Sequence, residues 1–233
     1  MSDKTPLVLL PGLLCDAALW QDQIETLSDI AETTVADLCR DDQLGPMAQR
    51  VLSEAPESFA LAGLSMGGYV ALEIVRQAPD RISRLALLNT SARADSHEQT
   101  AHRQILIDLA RRGEFKGVTR RLLPQLIHPD RLNDSQLTET IFAMAERLGR
   151  EAFQRQQRVI MNRPDSRRDL GLIHCPTLVL CGRQDLRTPL AVSEEMAEKI
   201  PRASLVVIED CGHLAPLERP REVGTALRDW LKT

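Results

Sequence analysis

Six short strand-like runs recur along the chain, at 7–10, 33–38, 59–64, 84–89, 177–182 and 204–209, all mainly apolar but the second, TTVADL, which is rich in β-branched residues. Each is four to six residues long, close to the length of a buried strand. Between most of them the hydrophobic spacing changes from continuous to three-or-four-residue steps. Leu19, Trp20, Ile24 and Leu27 mark one such stretch at 17–29. Others fall at 45–55, from the end of the third run to Pro79, at 189–199 and at 220–231. Continuous apolar strands alternating with amphipathic helices predict an α/β fold. Its sheet should be mostly parallel and six-stranded, with helices on both faces.

One segment breaks the alternation. Residues 91–168 contain no strand-like run, and Leu137, Ile141, Met144 and Leu148 share one helical face. This segment reads as a helical insertion, with the α/β core in 1–90 and 169–233. The insertion carries 15 Lys/Arg against 10 Asp/Glu, so it is +5 on a chain whose net charge is −4. A basic helical cap therefore sits on an acidic body.

The chemistry begins where the third apolar run meets its helix, in "FALAGLSMGGYVALEIVRQ". Gly63-Leu64-Ser65-Met66-Gly67 fits G-x-S-x-G, with a further glycine at 68. Alone the motif is weak, and a Gly/Ser-rich turn would satisfy it. Its setting between strand and helix is that of a nucleophile elbow, which raises a serine hydroxyl above the carboxyl edge of the sheet. Gly63 and Gly67 would let strand and helix approach closely.

A serine hydroxyl is a poor nucleophile without a base. His97, His102 and His128 lie in the insertion, and His174 precedes the fifth strand at the opposite edge of the sheet. His213, in "EDCGHLAP" after the sixth strand, shares the carboxyl edge with Ser65 and is the candidate base; the plain alternative is a loop histidine capping the last helix. The base needs a carboxylate to fix its tautomer. Asp185, in "CGRQDLRTP" after the fifth strand, is placed for this role. Asp210 is cramped on the histidine's own loop, Asn89 cannot carry the charge, and Asp37 closes a strand before the elbow.

The order Ser65, Asp185, His213, with the elbow and the "GRQD" and "GH" loops, resembles the α/β-hydrolase superfamily along essentially the whole chain. In particular it is similar to small cofactor-independent esterases and lactonases, such as the 3-oxoadipate enol-lactonases and pimeloyl-carrier-protein methyl ester esterases. The resemblance implies a shortened hydrolase fold lacking the family's first two strands, with a helical cap at 91–168. It also implies cleavage of a small carboxylic ester, lactone or thioester through an acyl-serine, without metal or organic cofactor. The same fold and triad also occur in carbon–carbon bond hydrolases, a lyase and slow-turnover hormone receptors, so those alternatives stand beside the esterase.

An oxyanion needs two backbone donors. One is expected to be the N–H of Met66, which follows the serine. In relatives the second follows a His-Gly pair after the first strand, which matches Leu13, with Leu14 in reserve. Here Pro11 stands where those relatives carry the histidine.

Composition narrows the partners. Aromatics make up 3% and the net charge is negative, which argues against nucleic acid. No apolar stretch reaches the ~20 residues of a membrane span. "LVLLPGLLC" lacks the basic start and small-residue site of a secretory signal. The five cysteines, Cys15, Cys39, Cys175, Cys181 and Cys211, are an odd number without a C-x-x-C pair, as expected of reduced thiols in the cytoplasm. A monomer or homodimer acting on a small-molecule ester is expected. Apolar faces of the insertion suit an aliphatic acyl group. Its Arg120, Arg121, Arg155 and Arg158 would either attract a substrate carboxylate or form a solvated helix face.

Overall fold

A computed structural model describes residues 4–233. Its centre is a six-stranded sheet in which every neighbouring pair is parallel. The strands are β1 (Thr5–Leu10), β2 (Ala31–Val35), β3 (Phe59–Leu64), β4 (Ile82–Leu88), β5 (Thr177–Gly182) and β6 (Ala203–Ile208), in the order β2-β1-β3-β4-β5-β6. The helices are α1 (Gln21–Leu27), α2 (Leu44–Glu54), α3 (Met66–Gln77), α4 (His97–Arg111), α5 (Ser135–Met161), α6 (Leu190–Lys199), α7 (Ala215–Glu218) and α8 (Pro220–Lys232).

Strand side chains alternate between two apolar layers. Val8, Leu10, Leu61 and Val179 pack on the layer that holds α2, α3 and α6. Leu7, Leu9, Ala60 and Leu180 pack on the layer that holds α1 and α8. Of the four inner strands, β3 and β5 are buried at every residue, which explains their unbroken apolar runs.

Several expected boundaries move: β1 and β4 each start two residues earlier than expected and β6 lies one residue earlier. The second strand ends at Val35 rather than residue 38, because β2 pairs with β1 only as far as Leu9↔Val35. The fourth ends at Leu88, since Asn89 turns to a positive φ of 44°. The expected helix at 17–29 is a 3-10 turn at Ala17–Trp20 leading into α1.

The insertion between β4 and β5 is helical, built on α4 and α5 with 3-10 turns between them. Ser96 and Gln99 form a capping box at the start of α4, and Asp134 caps α5. α5 breaks at Gly149, whose φ of 70° and ψ of −172° leave the helical region. No helix among the described residues is long and apolar enough to cross a membrane.

From β1 the chain moves one way to β2, then returns across β1 to β3 and onward. The topological switch therefore lies between β1 and β3. In open parallel sheets the crevice beyond the carboxyl ends at such a point is where ligands bind.

Candidate active site

β3 delivers Ser65 to that crevice. Its backbone has φ 53° and ψ −112°, a conformation that costs a non-glycine residue on the order of 1–3 kcal/mol. The neighbours hold it there. The Ser65 N–H donates to the Leu88 carbonyl at 3.0 Å, and the Ser65 carbonyl accepts from the Thr90 hydroxyl at 2.7 Å. A Cβ on Gly63 would fall on the Gly67 carbonyl, and one on Gly67 would fall on the Leu10 carbonyl. Both positions are thus glycine because backbones meet there.

The loops after β5 and β6 bring two more groups to the serine. His213 Nε2 lies 2.9 Å from Ser65 Oγ, and His213 Nδ1 lies 2.8 Å from Asp185 Oδ2. Asp185 and His213 are both buried. Asp185 Oδ2 also accepts from the Thr188 hydroxyl at 2.6 Å and from Asn89 Nδ2 at 2.9 Å. Its Oδ1 accepts from the N–H groups of Arg187 and Thr188 at 2.7 and 3.0 Å. Burial by itself would raise the pKa of this carboxyl. The His213 charge and these hydrogen bonds outweigh burial and hold it at about 2. Asp185 therefore remains a carboxylate, facing the imidazole.

His213 is fixed from behind as well. The N–H groups of His213 and Leu214 both donate to the Leu126 carbonyl of the insertion, at 2.9 and 3.1 Å. Buried Glu218 accepts from the N–H groups of Gly212, Leu214 and His128 and so shapes the whole histidine loop. Burial pushes the Glu218 carboxyl up from its usual range.

The loop after β1 lies against the serine, since a Cβ on Gly12 would sit 3.6 Å from Ser65 Cβ. Met66 opens α3, where the positive end of the helix points at the crevice. Leu14 has φ 56°, and its N–H donates to the buried Gln156 Oε1 of α5 at 3.0 Å. Leu14 N–H is thus engaged within the protein, and Leu13 N–H remains the expected donor of this loop.

The rival acids and bases are elsewhere. Asp37 accepts from Cys39 N–H and Arg40 at the surface. Asp210 is an exposed residue of the turn after β6. His128 accepts from the Asp130 N–H in the insertion. The thiols are poor nucleophiles: burial pushes Cys15 and Cys39 to about 12 and Cys211 higher. Two of the four highlighted insertion arginines are tied to body loops. Arg155 donates to the Cys39 carbonyl at 2.6 Å, and Arg158 pairs with Asp42 at 3.4 Å. Arg120 lies over the Phe142 ring at 6.0 Å, and Arg121 is exposed.

Asn89, Thr188, Glu218 and Gln156 carry no motif, and sequence reasoning passed over them or set them aside. Only Asn89 offered a signal, as a polar residue closing an apolar strand at the carboxyl edge.

A hydroxyl, an imidazole and a carboxylate in series are able to move a proton off the hydroxyl. The sequence model of the Alpha/beta hydrolase family matches residues 7–226. The chain belongs to the alpha/beta hydrolase family. Among curated relatives of this hydrolase, a pimeloyl-[acyl-carrier protein] methyl ester esterase of Nitrosomonas europaea is 26% identical, over 93% of this chain and 91% of the relative. A thermophilic esterase from Thermogutta terrifontis, solved with malate bound, is 32% identical with a TM-score of 0.89, covering 98% of this chain and 89% of that one. The enol-lactonase from Burkholderia xenovorans LB400 is 24% identical with a TM-score of 0.89, covering 100% and 93%, a likeness of fold.

Proposed function

We propose that this alpha/beta hydrolase cleaves a small carboxylic ester or lactone through an acyl-serine intermediate. The observation that carries this reading is the hydrogen-bonded series from Ser65 Oγ through His213 to Asp185, at 2.9 and 2.8 Å. The similarity to esterases supports the choice of ester over other acyl substrates.

In this reading His213 Nε2 takes the Ser65 proton as Oγ attacks the ester carbonyl. Asp185 stays ionised and stabilises the imidazolium. The N–H groups of Leu13 and Met66 receive the oxyanion. The tetrahedral adduct collapses as His213 returns the proton to the leaving alkoxide, which departs as the alcohol. Water, deprotonated by the same histidine, then splits the acyl-serine, releasing the carboxylic acid and restoring the hydroxyl.

The insertion at 91–168 acts as a cap over this site. Leu13 and Leu14 of the oxyanion loop pack against Leu106, Ala110, Phe115, Ala145, Leu148 and Phe153 of the insertion. That wall is aliphatic with two phenylalanines, suited to an acyl chain.

The test is turnover of p-nitrophenyl acetate, butyrate and octanoate by the protein and by Ser65→Ala. The variant should lose at least about 10³-fold in kcat/KM. An organophosphonate should label Ser65 at one equivalent, read by mass spectrometry. Equal turnover by both proteins, or no label on Ser65, would sink the proposal.

A further inference from the structure

The proton relay uses Arg187 only through its backbone. That N–H holds Asp185 Oδ1 at 2.7 Å. The side chain leaves toward the insertion, where Nη1 donates to Gln125 Oε1 at 3.1 Å. Gln125 precedes Leu126, whose carbonyl takes the N–H groups of His213 and Leu214. Arg187 thus reaches from the loop of the acid to the segment that holds the base. Its guanidinium keeps a water-accessible surface while protein crowds its sides. Tyr69, one turn into α3 from Ser65, and Arg103 of α4 are close enough to act on its charge. Burial first, and the like charge of Arg103 second, push its proton affinity below the ordinary arginine range.

A guanidinium offers a carboxylate a matching fork of N–H donors. The two others nearby have a carboxylate partner. Arg103 and Arg163 share Asp95, at 2.7 and 2.6 Å, and the Asp95 side chain is 1% exposed. Arg163 also lies 4.2 Å over the Tyr69 ring. These contacts fix both guanidinium groups against one carboxylate. Among the described residues no carboxylate pairs with the Arg187 guanidinium, and its side-chain partner is a neutral amide oxygen. The nearest acid in sequence, Asp185, is turned to His213. One positive charge on the loop that carries the acid is therefore unmatched by the protein.

We propose that Arg187 binds a free carboxylate carried by the substrate, so that the enzyme prefers half-esters of dicarboxylic acids, or lactones bearing a carboxylate, over neutral esters of the same length. The proposal rests on the ester-hydrolase reading above and adds the substrate class. The planar guanidinium offers N–H groups beyond the one given to Gln125, in a fork that matches a carboxylate. The cap arginines suggested by charge pattern are engaged elsewhere or peripheral. The selective cation comes instead from the core loop that carries the acid.

The experiment compares kcat/KM for mono-4-nitrophenyl glutarate and 4-nitrophenyl valerate at fixed ionic strength, in the protein, in Arg187→Gln and in Arg187→Lys. Both variants keep the backbone N–H on Asp185. The charged-to-neutral ratio should fall at least fivefold in Arg187→Gln, through KM, and partly recover in Arg187→Lys. A smaller change in that ratio overturns the proposal. A second arm measures glutarate binding by calorimetry to Ser65→Ala and to the Ser65→Ala/Arg187→Gln double variant. Saturable binding lost in the double variant is expected; equal binding, or none to either, overturns the proposal. This arm needs no turnover. If neither ester is hydrolysed, the ester-hydrolase reading fails, while the carboxylate site is still judged by calorimetry.

Discussion

Ser65, His213 and Asp185 come from three separate loops, and each is held by neighbours that have no chemistry of their own. Asn89 shows this best. Its positive φ of 44° ends β4 and turns the amide so that Nδ2 donates to both Asp185 Oδ2 and the Gly212 carbonyl, at 2.9 and 3.1 Å. It therefore ties the loop of the acid to the loop of the base. Replacing the acid itself, Asp185→Asn, removes the charge and offers an amide N–H₂ where an acceptor is needed. The variant should lose roughly 10³–10⁴-fold in kcat with p-nitrophenyl butyrate, with a smaller change in KM. A loss under tenfold would mean that another carboxylate supports His213. Trapping the variant with an organophosphonate should show the same slowing at the acylation step.

Two contacts between elements position the proposed oxyanion loop. The first is the crossing of β1 over α3 at Gly67. Gly67→Ala places a methyl on the Leu10 carbonyl and forces strand and helix apart. Overpacking of this kind costs about 1–3 kcal/mol, so the midpoint of urea unfolding should drop, with activity falling beyond what the folded fraction explains. The second is the hold of α5 on the loops beneath it. Gln156 Oε1 accepts from Leu14 N–H at 3.0 Å, and its Nε2 donates to the Leu38 carbonyl at 3.1 Å. A helix of the insertion thereby fixes the loop that carries Leu13. Gln156→Met keeps the volume and loses both hydrogen bonds. It should lower kcat about tenfold or more, since oxyanion donors act through geometry, while KM for p-nitrophenyl butyrate moves little. Unchanged kcat with a lowered melting temperature would reduce Gln156 to a purely structural tie.

At the scale of the molecule, the same cluster links catalysis to stability. Asp185 is held at about 2, below the ordinary carboxylate value of 3.8. The folded state therefore binds this proton more weakly than the unfolded chain does. Its contribution to stability is complete above about pH 4 and is lost as pH falls toward 2. Glu218 has the opposite sign, since burial raises its value, and its protonation favours the fold as pH falls through that raised value. The melting temperature of the protein should exceed that of Asp185→Asn by the widest margin above pH 5, and the gap should narrow toward pH 2. A gap that is constant with pH would show that the carboxylate's charge is not what the fold uses. Asp185 also keeps its charge well below neutral pH, so the acid limb of kcat/KM should not report the aspartate.

The apolar runs determined the strands, because buried parallel strands need continuous hydrophobic sequence and nothing else imitates it at that length. β3 and β5 are read to the residue, while β2, at the sheet edge, is displaced because its end is set by pairing with β1. The elbow, the "GRQD" loop and the "GH" loop were legible for a related reason: sheet order and strand direction place the ends of β3, β5 and β6 on one edge whatever the details. Three things were decided only by the tertiary structure. The break of α5 at Gly149 follows from how the insertion bends over the core, and helical spacing runs through it unmarked. The support given by Asn89, Gln156 and Glu218 joins residues far apart in sequence, so no local pattern announces it. The charge left unmatched at Arg187 emerges by comparison with neighbours, since Arg103 and Arg163 have taken Asp95. Sequence fixes which groups exist and which edge they share. Pairing among them depends on distances between loops, and those exist only once the chain is folded.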